Sequence, residues 1–531
     1  MSTLLKLSLA YVILVTWMKA GHTEGIGSVI LTVLGSMILI LHLCSKNFRE
    51  RKTLVIQLPI FALTIISVIS YLNPRYRVMS TKDIIELKFE EVLLNSNNPS
   101  KIEMMTKAVN LILDSAKSSP STSISLFFHY KSTYLDKFGV KKNDLVLDFL
   151  NKLEQRLEIP FNSSLPSSVV NDFIIFKKNH LLLLNMLIGI IIYIHIKKLF
   201  QIDRIALLFT MNFLILCIVG FYQKYTQQWS DDYLEILGIW DAPEPRYYFS
   251  TFTYKNHWSA FAIMMLSFTF FILFKLKKEI KFDYLKSKKL FFYIFVLIIG
   301  SSTVLYSGSR SGTILLIIFI LFNSILVLKE NFNLNIKKFL FPAIFIPVII
   351  LIMYLFVQDK KWKEMISNTE SQIKNLSNGK APLRWFFWKD SVKIIQDKPV
   401  WGHGYLSFSS VYPKFQSYEV RHERSLGLEN AHKEYIPLVA HAHNDLLEHI
   451  VEWGLVGVFL IFLPFIFIIT TGIYPTSSHS LHILSFGCLI FIVYCAVDFP
   501  SRTPACLANF SALLAMTQKY RVLRKKIPGR I

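Results

Sequence analysis

Apolar runs long enough to cross a bilayer recur along the chain, separated by polar segments of very unequal length. The first six fall near residues 4–20, 26–44, 53–72, 180–198, 205–222 and 257–275. Six more fall near 290–307, 311–328, 339–357, 447–471, 480–497 and 503–517. A helix needs about 20 apolar residues to span a hydrocarbon core ~30 Å thick. The pattern therefore predicts an all-α polytopic membrane protein with about 12 transmembrane helices.

The polar intervals alternate in charge. SKNFRERK (45–52), KKLFQIDR (197–204), KLKKEIKFDYLKSKK (275–289), KENFNLNIKK (329–338) and the tail KYRVLRKKIPGR (519–530) are all basic. They fall on one side of the predicted arrangement, which the excess of Lys and Arg assigns to the cytoplasm together with both termini. The opposite face receives 73–179, 223–256, the short turn around Arg310 and 358–446. The expected organisation is three N-terminal membrane helices in 1–72, a helical outer-face insertion in 73–179, helices four to nine in 180–357, a long outer loop in 358–446, and three last helices with a basic tail in 447–531.

Within the insertion, STKDIIELKFEEVLL, KIEMMTKAVNLILDSA and NDLVLDFLNKLEQRL carry apolar residues at helical spacing with Ser or Asn near their starts. Three helices are expected there, either as an accessory domain or as a surface for an acceptor or partner. The N-terminal run, with Lys6 and no convincing small-residue cleavage site, reads as a retained helix rather than a cleaved signal peptide.

Composition supports the membrane reading. Of 531 residues 53% are hydrophobic and only 18% charged, with 44 Phe, and the mean hydropathy is +0.42. The net charge of +22 would suit nucleic acid, but the basic residues sit in short loops and no nucleic-acid-binding motif accompanies them, so no nucleic-acid partner is expected. Cys44, Cys217, Cys488, Cys495 and Cys506 all lie in or at the ends of apolar runs without a CxxC pair, which indicates neither a disulfide framework nor a cysteine-based zinc site.

Three residues stand out as chemistry. Arg310, in SGSRSG between two apolar runs, is costly near a membrane unless it faces a polar cavity or partner, or snorkels from a helix end. Arg384 precedes Trp385, Phe386, Phe387 and Trp388, which suggests a segment at headgroup level whose guanidinium could grip a phosphate by two parallel hydrogen bonds or simply anchor the interface. His443 sits in HAHNDLLEHIVEWGLVG (441–457), where a polar stretch enters an apolar helix.

His403, His422, His432, His441, His443 and His449 crowd one stretch, so a metal site must be weighed. No HExxH motif is present, and His441 and His443 share a ligand only if the chain is extended there. The alternative is a neutral imidazole accepting a proton from a sugar hydroxyl. Gly454 and Gly457 would let the following helix pack closely on a neighbour, and Asp445 and His449, four apart, share a helix face.

YKNHWSAFA (254–262), SGSRSG (307–312), LRWFFWKDSVKIIQDKPVWGHGYLSF (383–408) and HAHNDLLEHIVEWGLVG (441–457), in this order, resemble the O-antigen ligase family, which includes O-antigen polymerases and protein O-oligosaccharyltransferases. The resemblance covers roughly residues 200–500 and leaves the first 180 unexplained. It implies a GT-C-like fold in the bacterial inner membrane, an active site on the periplasmic face, and an inverting glycosyltransferase. The donor would be an undecaprenyl-diphosphate-linked glycan and the acceptor lipid A-core, a growing glycan or a protein hydroxyl, with O-antigen ligase the preferred reading. Carried over by motif, Arg310 and Arg384 would bind the donor diphosphate and His443 would activate or position the acceptor hydroxyl. Asn256, His441 and Asn444 would support them, with no metal or other cofactor. A transporter or flippase of lipid-linked glycan is the rival of a different class, and it would be expected to spread charges through several spans. The long insertion and the loose match at Lys255–Asn256 leave the acceptor open.

Overall fold

A computed structural model describes residues 1–45, 51–96, 98–140, 144–226, 235–243, 247–279, 288–331, 381–425, 438–472 and 478–525, with isolated positions at 367, 370 and 374. The helices, in chain order, are α1 (Thr3–Trp17), α2 (Gly25–Leu43), α3 (Arg51–Leu72), α4 (Thr81–Glu86), α5 (Phe89–Asn95), α6 (Pro99–Ser118), α7 (Pro120–Phe138), α8 (Leu145–Leu157), α9 (Phe173–His195) and α10 (Leu199–Thr226). They continue with α11 (Lys255–Glu279), α12 (Lys288–Tyr306), α13 (Arg310–Asn331), α14 (Leu383–Asp397), α15 (Phe408–Phe415), α16 (Tyr418–Ser425), α17 (Asp445–Gly472), α18 (His479–Val497) and α19 (Pro504–Lys525). Among the described residues, strand content is confined to two short pairs, the parallel β1 (Pro74–Tyr76) with β2 (Ser168–Val170), and the hairpin β3 (Glu235–Ile236) with β4 (Trp240–Asp241).

The chain is a multi-pass membrane protein. Among the described residues, six helices are long and apolar enough to cross a bilayer by themselves: α2, α9, α10, α11 through Leu276, α12 and α18. Shorter apolar helices lie at Thr3–Trp17, Leu58–Leu72 and Arg310–Leu326. Eleven of the twelve expected runs are helical, and the run near 339–357 lies outside the described residues.

The chain divides into two compact units. The first comprises residues 1–58, 181–374 and 463–531. Its centre is α11, where Trp258, Phe261, Ile263, Met265, Leu266, Phe268 and Phe271 are fully buried. A helix apolar on all sides belongs inside a bundle, and α10, α12, α13, α18 and α19 surround this one. Some of the buried polar side chains within the unit pair with one another, which lowers their cost in a membrane interior. Trp17 Nε1 donates to Asn212 Oδ1 at 2.8 Å, and Asn212 Nδ2 donates to Thr16 Oγ1 at 3.2 Å.

The second unit joins residues 59–180 to 375–462. Among its described residues the insertion holds five helices, not the three expected. The addition that matters most is α7, whose Ile124, Phe127, Phe128 and Tyr134 are buried in the middle of the core. Its sequence, PSTSISLFFHYKSTYLDKF, buries serines along with aromatics, so no clean apolar stripe betrays it.

Helix α8 was legible because Val146, Leu147, Phe149, Leu150, Leu153 and Leu157 line one face. Its N-cap Asp144 accepts from the Val146 and Leu147 N–H groups and binds Lys101 Nζ at 2.6 Å and Tyr134 Oη at 2.7 Å, tying α6, α7 and α8 together.

One apolar core runs through both parts of this unit. Phe127, Phe128 and Leu153 of the insertion share it with Phe387, Ile394, Phe408, Tyr412 and Val451. Polar ties reinforce it, with Ser125 Oγ donating to Ser409 O at 2.7 Å, Ser132 Oγ to Pro413 O at 3.0 Å, and Lys414 Nζ to Glu154 Oε1 at 2.9 Å. The segments 73–179 and 358–446, expected as separate, therefore build one folded body among the described residues.

Candidate functional site

The run expected as one span over 447–471 is broken. Gly454 interrupts α17 at φ 62° and ψ −174°, a region open in practice to glycine alone. The close packing expected of it is real, but its partner is a loop backbone and not a helix. A Cβ at Gly454 would lie 2.2 Å from Val400 O. Residues 399–404 run beside 451–456 with His403 N–H donating to Val451 O at 2.9 Å, Gly404 N–H to Glu452 O at 2.9 Å, and Leu455 N–H to Pro399 O at 2.9 Å. The first part of α17, before the break, carries buried Asp445, Glu448, His449 and Glu452, a polar density that no simple span would bear.

His443 lies just before this helix in a non-helical stretch, itself left-handed at φ 52°. A side chain in that conformation costs roughly 1–3 kcal/mol and persists only where its surroundings impose it. The surroundings here are specific. Glu448, 1% exposed, reaches back so that Oε2 accepts the Ala442 N–H at 3.0 Å while Oε1 lies 2.9 Å from His441 Nδ1. Trp388 Nε1 donates to Ala442 O at 3.1 Å, and the His443 ring stacks on Phe387 at 6.2 Å between centroids and 14° between planes. Asn444 caps the helix, with its Oδ1 accepting from Leu447 N–H at 3.1 Å.

Arg384 stands in the first turn of α14, three and four residues before Phe387 and Trp388 and so on the same helix face. That places it about 5.4 Å along the axis, one turn, from the two aromatics that hold His443. Helix α14 is fixed from its other side by buried Asp390, which accepts from Tyr412 Oη at 3.1 Å and from Ser417 N–H at 2.8 Å. The structure thus sets His441, His443 and Asn444 in one loop against α14, the helix whose first turn carries Arg384.

Arg310 and Asn256 belong to the first unit. Arg310 is exposed at the start of α13. Ser309 caps that helix through Gly312 N–H at 3.1 Å and is held by Tyr494 Oη at 2.8 Å. Ser259 Oγ and Ser307 Oγ lie 3.0 Å apart, which sets the N-termini of α11 and α13 side by side. Lys255 Nζ, from the first residue of α11, lies 4.0 Å from the point a Cβ on Gly308 would occupy. Two helix N-termini with a lysine and an arginine form a positively charged end suited to an anion. Asn256 looks elsewhere, its amide donating to Asp498 and, at 3.2 Å, to Tyr254 Oη. Thr503 Oγ1 lies 2.6 Å from His257 Nδ1, so the segment 498–503 buttresses the start of α11.

The remaining histidines of the crowded stretch are dispersed. His403 is buried with Nε2 3.2 Å from Ile394 O, His449 is buried, His422 is exposed on α16, and His432 lies outside the described residues. Among the described residues no group of three or more His, Cys, Asp or Glu is arranged to hold a metal ion.

Residues 295–462, about a third of the chain, match the family model described as O-antigen ligase. That stretch is similar to the O-antigen ligase family. The matched stretch includes Arg310, Arg384 and His443. It ends eight residues beyond the Gly454 break and leaves out the insertion. No curated protein matches the chain. Glu448, Asp390 and Asp498 were missed in the sequence. Glu448 carried a signal, an acid one residue from a histidine at the head of an apolar run, but its partner His441 is seven residues away in a loop whose path no spacing rule gives.

Proposed function

We propose that this protein is an inverting glycosyltransferase of the bacterial inner membrane, working on the periplasmic face and transferring O-antigen from undecaprenyl diphosphate to lipid A-core. The observation that carries the reading is the imposed left-handed backbone at His443, whose neighbour Ala442 is clamped by Glu448 and by Trp388, the latter one turn of α14 from Arg384. Such strain is kept where a side chain must be presented in a fixed direction.

In the proposed reaction the acceptor oxygen attacks the anomeric carbon of the donor sugar. The bond from that carbon to the diphosphate oxygen breaks, its electron pair leaves with undecaprenyl diphosphate, and the hydroxyl proton passes to the His443 imidazole. Arg310 and Arg384 bind the diphosphate and stabilise the charge it gains on departure, Arg310 with the added field of two helix N-termini and Lys255. His441 and Asn444 hold the loop, and Asn256 orders the start of α11 through Asp498.

The test is purified full-length protein with undecaprenyl-diphosphate glycan and candidate acceptors, reading release of undecaprenyl diphosphate and gel shift of the acceptor. His443→Ala should lower transfer by ~10²–10⁴-fold while donor binding persists. Arg310→Lys and Arg384→Lys should weaken donor binding as well as rate, because lysine keeps the charge and loses the fork. Full transfer by His443→Ala would remove this histidine from the chemistry. A shifted lipid A-core selects ligase, a longer lipid-linked glycan polymerase, and a modified protein oligosaccharyltransferase. Lipid movement without any product would select a flippase.

A further inference from the structure

The second unit contains a cavity of about 320 Å³ whose lining includes Arg75, Phe161, Ser167, Asp397, Lys398 and Trp401. That volume sits near the lower end of the roughly 300–1,000 Å³ usual for small-ligand sites. Arg75 and Phe161 come from the two ends of the insertion, and Asp397, Lys398 and Trp401 from the end of α14 and the loop after it. The cavity is therefore built jointly by the insertion and the segment that carries Arg384.

Its charge is unbalanced. Lys398 Nζ donates to Ser167 Oγ at 2.7 Å and lies 4.2 Å from the centre of the Phe161 ring. The Arg75 guanidinium lies 5.8 Å from the centre of that same ring, so one aromatic ring carries two cations. Asp397 is the carboxylate in the lining, 3.3 Å from Arg75. Its other basic neighbour, His403 at 3.6 Å, is buried and held neutral at pH 7. Burial and the nearby Arg75 charge lower the Lys398 pKa to about 8. Arg75 Nε is buried without a hydrogen-bond partner among the described residues. Two cations forced together against one carboxylate gain from an anion placed between them.

The aromatic side specifies more than charge. The Trp401 indole is fixed by Nε1 donating to Ser164 O at 2.9 Å, presenting a rigid apolar face beside hydroxyls. A flat aromatic face with serine hydroxyls and cations matches a pyranose ring that bears an anionic group.

We propose that this cavity binds a phosphorylated or carboxylated sugar unit of a substrate glycan, the anion held by Arg75 and Lys398 and the ring resting on Trp401. The assignment of that sugar to the acceptor rests on the glycosyltransferase reading above. The cavity gives the insertion a role in choosing which glycan is accepted.

The test is ligand protection of Lys398 in purified full-length protein, read by mass spectrometry after brief acylation with a water-soluble acetyl ester at pH 8. Lys82, with a side chain 83% exposed, serves as the internal reference. Glucose 6-phosphate and glucuronate, each at about ten times its dissociation constant, should slow acylation of Lys398 roughly tenfold and leave Lys82 unchanged. Glucose should not protect. Inorganic phosphate and glycerol 3-phosphate, the latter standing for a lipid headgroup, should protect only at higher concentration. Trp401→Ala should abolish the preference for glucose 6-phosphate over glycerol 3-phosphate.

Absence of protection by either anionic sugar, or equal protection by glucose, would overturn the proposal. Equal protection by glycerol 3-phosphate in the wild type would overturn the saccharide assignment in favour of a headgroup or bare-anion site. These arms contain no donor and read no transfer. They can fail with the transferase reading intact, and that reading can fail while the cavity still binds its sugar.

Discussion

The Glu448 carboxylate lies 2.9 Å from His441 Nδ1, across seven residues of chain, and its second oxygen takes the neighbouring Ala442 N–H at 3.0 Å. A buried acid thus replaces secondary structure in holding the loop that ends at His443. Glu448→Gln preserves the shape and one acceptor oxygen, whereas Glu448→Ala leaves the Ala442 N–H buried and unpaired, a loss of about 1–3 kcal/mol. Transfer is expected to fall in the order wild type, Gln, Ala, with the Ala variant down more than about tenfold, the equivalent of ~1.4 kcal/mol. Steady-state transfer and thermal unfolding of the two variants check this. Equal activity in all three would show that the clamp does not position the reacting loop.

Gly454 is the second fixed point. It and Gly139 occupy nearly the same backbone region, at φ 62° and 69°, but a Cβ at Gly454 would meet Val400 O at 2.2 Å whereas one at Gly139 meets nothing within 4 Å among the described residues. Alanine at either position bears the backbone strain, roughly 1–3 kcal/mol. At Gly454 the clash adds to it, so Gly454→Ala should yield far less folded protein than Gly139→Ala. Detergent-solubilised size-exclusion profiles decide the matter, and matching profiles would mean that the loop at 399–404 yields easily.

Much of this was legible in advance, for physical reasons that can be named. Membrane helices declare themselves by length and hydropathy, and α8 by its apolar stripe, because burial on one face is periodic in sequence. The residues Arg310, Arg384 and His443 stood out because charge beside apolar runs is costly. What was hidden depended on contacts distant in sequence. The insertion shares its core with Phe387 and Tyr412, some 250 residues from Phe127 and Tyr134, and no local pattern announces that. The break at Gly454 was hidden because LVG and EWG continue a helical rhythm. The loop backbone at 399–404 is what makes the left-handed glycine necessary.

Acid should loosen the second unit before it denatures the membrane helices. Burial, with the nearby Arg421 and Arg424 charges, depresses His129 to about 4, and burial with the Lys398 charge depresses His403 to about 4. Both histidines take up protons on unfolding, near the ordinary value of 6.5, and resist them when folded. Their contribution is fully present above 6.5 and is lost as pH falls from there towards 4. Asp83 adds a lower step. Burial raises its carboxyl, but hydrogen bonds from Ser80 with Arg77 and Arg156 overcome this and leave it below the ordinary carboxylate value, so its contribution disappears below about pH 4. The midpoint of thermal unfolding should decline between pH 7 and 5, and His129→Asn should flatten that decline. An unchanged slope in the variant would remove His129 as a cause.

Topology gives the last prediction, and the structure sharpens it. By the distribution of basic loops, 275–289 and 519–530 are expected in the cytoplasm and both 73–179 and 358–446 outside. Because α7 binds the backbone of 409–413 through Ser125 and Ser132, the insertion and the 408–425 segment must lie on the same side, whichever side that is. In a cysteine-free variant, single cysteines at exposed Glu103 and Glu423 should both react with an impermeant thiol reagent in intact spheroplasts. A cysteine at exposed Lys288, at the start of α12, should react only after lysis. Labelling of Lys288→Cys with protection of the other two would invert the orientation and place His443 in the cytoplasm, where a lipid-linked glycan presented on the periplasmic face is out of reach. Labelling of Glu103→Cys without Glu423→Cys contradicts the shared core itself, because one folded body cannot be divided by a bilayer.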